Sequence, residues 1–132
     1  MDRPDAKALA KTLQLDPVRL ELLAERHLEP LRAACAEDEE IWEIYPVNML
    51  GEGFDEAMKR FHQLESWVRF AVIDTREGKV VGMTNYISPD DFGVVEIGGT
   101  YIAPAVRGSE FNHTMKKLMI EHAFASGFTK IE

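Results

Sequence analysis

"VEIGGTYIAPAVRGSEFNHTMKKLMIEHAF", residues 95–124, is the stretch whose reading decides the fold. Its opening is rich in β-branched and aromatic residues and predicts a strand over 94–102, with Gly98–Gly99 as a bulge or a point of close approach. Pro104 then leads a turn that carries Arg107, Gly108 and Ser109. Beyond it, Phe111, Met115, Leu118, Met119 and Ala123 recur at helical spacing, and Gly127 ends that helix as its C-cap. A strand that feeds a helix through such a turn presents free N–H groups at the helix start, and the helix dipole favours an anion there. Arg107 adds a charged donor, and Gly108 lets backbone come close to a ligand. Asn112 and Lys116, four residues apart, share a face, and Lys116 is within reach of an acidic ligand. The same residues also make sense without one. Ser109 is a natural N-cap, and Glu110 in the first turn complements the dipole. Backbone N–H groups can hold a phosphate here if the Glu110 side chain turns outward.

Working back toward the N-terminus, three runs alternate with short turns. "WVRFAVID" (67–74) and "VVGMTNYIS" (80–88) predict two strands, joined by a turn at Gly78. "PDDFG" turns the chain again into the strand at 94–102. Such short connections predict an antiparallel meander. Earlier, "FDEAMKRFHQLE" puts Phe54, Met58 and Phe61 on one helical face. "HLEPLRAACAEDEEIWEIY" predicts another helix, which tolerates Pro30 if that residue lies in the first turn. "VRLELL" (18–23) predicts a short strand, and residues 1–14, with Ala6, Leu9, Ala10 and Leu13 at helical spacing, a leading helix. "FTKIE" reads as the opening of one more strand. The order is that of an α+β fold with helices packed on a mostly antiparallel sheet.

The bulk numbers narrow the partners. A chain of 132 residues fits one domain, and its net charge of −8 argues against nucleic acid or an anionic membrane surface as a partner. Cys35 is the single cysteine, so neither an intramolecular disulfide nor a cysteine metal site can form. The four histidines show no metal-binding spacing, and no metal is expected. No run of apolar residues is long enough to span a membrane, and "MDRPDAKALAK" has no signal-peptide core, so a cytoplasmic protein is expected. Trp42, Trp67 and Phe92 read as packing residues, and Cys35 as core.

With these elements in place, residues 96–124 resemble the GNAT superfamily of N-acetyltransferases, most closely the ribosomal-protein N-terminal acetyltransferase (Rim-type) branch. The resemblance runs from "VRLELL" to the last residue, with residues 1–14 as an N-terminal extension and 15–132 as the GNAT-like domain. It implies the GNAT acyl-CoA N-acyltransferase fold. It also implies that the strand at Val94–Ile102 splays from its neighbour and pairs with the pantetheine arm of acetyl-CoA through Tyr101, Ile102 and Ala103. The family's pyrophosphate loop, Q/R-x-x-G-x-G/A, corresponds to Arg107-Gly108-Ser109-Glu110-Phe111-Asn112, in which Glu110 stands where glycine is usual. Relative to the family pattern the C-terminal strands are missing, and a homodimer covering the open side of Val94–Ile102 is expected.

Acetyl transfer to an amine needs a base, a donor for the developing oxyanion and an acid for the leaving thiolate. Glu96 is the candidate base, with Tyr101 as a further catalytic contributor, and Thr84 and Asn85 as candidates for lining the amine side. Two function classes fit: an N-acetyltransferase that moves acetyl from acetyl-CoA to a protein N-terminus or small amine, or a non-catalytic CoA-binding module. Glu110 and the short C-terminus favour the second, the strand–bulge–loop–helix segment the first.

Overall fold

A computed structural model describes residues 4–43, 49–62, 66–107 and 110–132, with the side chains at 43, 61 and 62 outside that description. Its centre is a six-stranded sheet in the order β1 (Leu13–Leu15), β2 (Val18–Leu22), β3 (Trp67–Asp74), β4 (Lys79–Ile87), β5 (Val94–Ile102) and β6 (Lys130–Ile131). Neighbours run antiparallel except β5 and β6, which pair in parallel through Val94–Lys130 and Val95–Ile131. The helices are α1 (Ala6–Leu9), α2 (Glu25–Cys35), α3 (Glu52–His62) and α4 (Glu110–Ala125).

Period-two alternation on β3 sends Phe70 and Val72 to one face and Ala71 and Ile73 to the other. The first face is covered by α4 and α1. Phe111, Met115, Met119 and Ala123 of α4 are buried against it, and Leu9 of α1 is sealed in the same core. Each large apolar side chain so buried stabilises the fold by roughly 1.5–3 kcal/mol. The second face is covered by α2 and α3, with Leu31, Cys35, Phe54 and Met83 among its buried residues. α4 stops in a Schellman motif: Phe128 N–H reaches the Ala123 carbonyl at 3.1 Å, and Gly127 N–H the Phe124 carbonyl at 3.0 Å. Gly127 has φ +95°, the left-handed conformation this stop requires.

The structure departs from the sequence reading at several points. The leading helix is limited to Ala6–Leu9, and Leu13–Leu15 form strand β1 instead. Backbone pairing with β2 (Leu13↔Leu20, Leu15↔Val18) overrides the helical spacing there. α2 ends at Cys35 rather than running on, and a 3₁₀ turn follows at Glu40–Glu43. Pro30 stands inside α2, beyond its first turn, where its ring removes the N–H that would meet the Arg26 carbonyl. Phe92 is 89% exposed and packs no core. Trp42 and Cys35 are buried, as packing residues. The β5 edge is not wholly open: β6 covers Val94 and Val95, and Ile97 N–H bonds the Glu132 carbonyl at 3.2 Å. Phe61, expected on the apolar face of α3, has its side chain outside the described residues.

Candidate acyl-CoA cleft

The site is built around a break in register. Met83 faces Tyr101, but Asn85 faces Gly98, so Gly99 and Thr100 together stand opposite Thr84. Gly99 has φ +59°, and a Cβ there would lie 2.7 Å from Asn85 Nδ2. Only glycine meets both demands. The bulge expected at Gly98–Gly99 is thus present, and it is clamped from both faces. Asn85 Nδ2 donates to the Gly98 and Gly99 carbonyls at 3.1 and 3.2 Å. On the α4 face the Thr84 and Thr100 hydroxyls are 2.9 Å apart, and Thr84 also donates to Met119 Sδ at 3.5 Å.

A cleft of about 490 Å³ lies between β5 and α4. Ile97, Gly98, Thr100 and Ile102 of β5 line it, together with Arg107, Asn112 and Lys116 and with Ile41 of the 3₁₀ turn. A larger groove, about 840 Å³, lies among α2, α3 and β3, lined by Leu28, Phe54, Met58 and Arg69 and by no residue of β5 or α4.

The sequence-predicted residues divide among these surroundings. Asn112 and Lys116 share the cleft, as their spacing implied. Glu110 opens α4 with its side chain exposed, and Phe111 is buried in the core, so it can offer only backbone. Gly108 and Ser109 lie outside the described residues. Glu96 is exposed on β5, paired in register with Ile87. It faces away from Val95 and Ile97, which pack toward α4.

Thr84 and Asn85 point to opposite faces and are both buried, so they hold the bulge and do not line a substrate surface. Tyr101 is 1% exposed, with its hydroxyl donating to the Ala34 carbonyl at 2.6 Å. Burial pushes its phenol up to about 12. Its backbone, not its phenol, belongs to the β5 edge. Two edge groups expected to be free are taken. Ala103 N–H bonds the Val81 carbonyl at 2.7 Å, and the Ile102 carbonyl accepts Arg107 Nε at 2.8 Å.

Arg107 is itself committed. Besides Ile102, its Nη1 donates to Asp38 Oδ2 at 2.6 Å, and its guanidinium lies 5.4 Å from the Tyr101 ring centre. Nη2 is buried with no hydrogen-bond partner among the described residues. The guanidinium beside Asp38 holds that carboxyl below its usual range. Sequence reading missed Asp38 and Ile41. The only signal was an Asp three residues before Ile41, hidden in the acidic run "EDEE". Among the described residues no group of three or more His, Cys, Asp or Glu side chains is placed to hold a metal ion, and no helix is long and apolar enough to cross a membrane.

The same architecture occurs in solved acetyltransferases. A GCN5-related N-acetyltransferase from Brucella melitensis superposes with a TM-score of 0.75 at 25% identity, over 88% of this chain and 55% of that one. Spermidine N-acetyltransferase from Vibrio cholerae, solved with CoA and spermine, gives 0.64 at 20% identity, over 84% and 66%. Ribosomal-protein-S5-alanine acetyltransferase from Vibrio fischeri gives 0.62 at 13%, over 88% and 68%. The chain thus spans a little over half the length of the Brucella relative. Comparison with curated proteins gives no match. The model of the acetyltransferase (GNAT) domain matches residues 18–131, nearly the whole sheet with α2, α3 and α4, and the chain belongs to that family.

Proposed function

We propose that this chain binds acetyl-CoA in the cleft beside β5 and transfers its acetyl group to an amine. The observation that carries the reading is the clamped bulge at Gly99 on β5, beside a cleft shared by β5 and the first turns of α4. An extended amide-bearing arm can lie in that cleft alongside β5, in the manner of an added strand. The diphosphate then falls at the start of α4, where the helix dipole, Asn112 and the Lys116 ammonium favour it. Exposed Glu110 leaves that approach open when its carboxylate turns to solvent.

In the chemical step the amine nitrogen attacks the thioester carbonyl. A C–N bond forms, the C–S bond breaks, and the CoA sulfur leaves as a thiolate that takes a proton from water. Glu96, directly or through a water, takes the proton lost by the nitrogen. The acceptor is a primary amine, either a protein N-terminus or a small amine. The Vibrio cholerae spermidine N-acetyltransferase, solved with CoA and spermine, shares this fold and is in keeping with the reading.

Calorimetry with acetyl-CoA, followed by acetyl transfer to a panel of amines, tests it. Binding with transfer is expected, and Glu96→Gln should lower turnover while leaving acetyl-CoA affinity unchanged. Binding without transfer to any amine would leave a non-catalytic CoA-binding module. Absence of binding would overturn the reading.

A further inference from the structure

Asp38 divides its carboxylate between two tasks. Oδ1 accepts the Ile41 N–H at 3.2 Å and so caps the 3₁₀ turn at Glu40–Glu43. Oδ2 accepts Arg107 Nη1 at 2.6 Å. Arg107 in turn holds the last carbonyl of β5. The segment between α2 and the 3₁₀ turn is fastened to the same place twice more. Tyr101 donates to the Ala34 carbonyl, and Trp42 lies 4.8 Å from the Tyr101 ring while donating to the Cys35 carbonyl. Ile41 and Arg107 both line one cleft. A ligand that fills the cleft meets both.

We infer that Asp38 is a positioning residue that couples occupancy of the cleft to the docking of residues 36–43, with Arg107 as the other half of the link. This rests on the reading of the cleft as an acyl-CoA site. Coupling of this kind is reciprocal: if the ligand favours the docked wall, the docked wall favours the ligand by the same factor. The sign separates this role from a simple effect of charge. Asp38 is an anion beside a site for an anionic ligand, so through-space repulsion alone would make its removal tighten binding. Coupling makes its removal weaken binding.

Asp38→Asn is the discriminating variant, because the amide oxygen can still cap Ile41 while the ion pair to Arg107 is lost. Hydrogen exchange of the Ile41 amide, measured with and without saturating acetyl-CoA, and the acetyl-CoA Kd are read on the same proteins. The parent's Ile41 amide should exchange about tenfold more slowly with ligand, within the usual range of coupling factors. In Asp38→Asn that protection should shrink and the Kd should rise by a matching factor. Arg107→Lys, which keeps the charge but loses the fork, should lose the protection too. Glu39→Gln, which removes a neighbouring exposed carboxylate, should leave both quantities as in the parent. An unchanged or tighter Kd in Asp38→Asn, or undiminished protection, overturns the coupling. If the parent binds acetyl-CoA but Ile41 exchange does not respond, the coupling alone fails. If the parent does not bind it, the reading of the cleft fails and the coupling with it.

Discussion

Each face of the sheet is tied to its helix by a buried tyrosine, and the two ties differ in where they land. Tyr86 on β4 donates to the Met119 carbonyl at 2.6 Å, and Tyr101 on β5 donates to the Ala34 carbonyl at the same distance. Burial raises both phenols above their ordinary range. Met119 lies in the middle of α4, where the helix supplies an N–H of its own to that carbonyl. Ala34 lies in the last turn of α2, and its carbonyl also accepts the Glu37 N–H at 3.2 Å in the turn that follows. The Tyr86 bond adds to a helix that is already closed. The Tyr101 bond joins β5 to the end of a helix, and the chain leaving that end brings Ile41 to the cleft. That segment is tied to β5 by a few side-chain links, whereas α4 is held by an apolar stripe.

The largest effect should come from the seam that carries both tyrosines. A Cβ on Gly82 would sit 1.9 Å from the Tyr101 carbonyl oxygen and 2.9 Å from Ile102 Cα, both backbone atoms that cannot move without parting β4 from β5. Gly82→Ala should cost about 3 kcal/mol or more in urea unfolding. Gly98→Ala is the contrast. There the nearest atoms, Glu96 Oε2 and Ile87 Cδ1, each 3.1 Å away, are ends of flexible side chains. It should cost under about 1 kcal/mol. Equal losses would mean that the β4–β5 seam yields more easily than its packing implies.

The tyrosines themselves come next. Tyr86→Phe and Tyr101→Phe should each cost about 1 kcal/mol, since each removes one buried hydrogen bond to a carbonyl that keeps a backbone partner. The local response should differ more than the total. Tyr101→Phe should speed hydrogen exchange across residues 36–43, and Tyr86→Phe should leave exchange in α4 slow. Faster exchange in α4 would remove the distinction between the two ties.

Much of this layout was legible in the sequence. The β-rich runs at 67–74 and 94–102 are β3 and β5, residue for residue. Gly98–Gly99 marked the bulge for a physical reason that one position bears out: Gly99 needs φ +59° and space beside Asn85. What stayed hidden was set by contacts distant in the chain. Leu13 and Leu15 have no strand signal of their own, since β1 exists only through its pairing with β2. Nothing local to "AEDEE" distinguishes Asp38 from its exposed neighbours; Arg107, 69 positions away, does that. Asn85 and Thr84 were read as facing a substrate because polar residues on a strand beside the site are ordinary contacts for one. Their partners prove to be the bulge itself.

The other end of α2 sharpens the comparison at the smallest scale, because charge holds it. His27 Nδ1 accepts the Ala24 N–H at 2.9 Å, and its Nε2 lies 2.8 Å from Glu21 Oε1, so the two bonds together assign the ring proton to Nε2. Arg19 Nε at 2.6 Å and Arg26 Nη2 at 3.1 Å complete the set around Glu21. The hydrogen bond from Arg19, then that from His27, holds the Glu21 carboxyl down to about 2, against an ordinary 4.5. A carboxyl whose pKa is lower in the folded than in the unfolded protein contributes stability that is complete above pH 4.5 and is lost as pH falls toward 2. Glu21→Gln should therefore cost about 1 kcal/mol at pH 7, with solvent screening at this partly exposed pair holding the figure down. It should also flatten the fall in stability between pH 4.5 and 2. Tyr101→Phe, at the other end of the same helix, should keep that fall at its full steepness. Urea unfolding of both variants at pH 7, 4.5 and 3 separates the two ends. A parent-like slope in Glu21→Gln would show that the carboxylate gains no more from its partners in the folded chain than in the unfolded one, leaving the N-terminal end of α2 to the His27 cap alone.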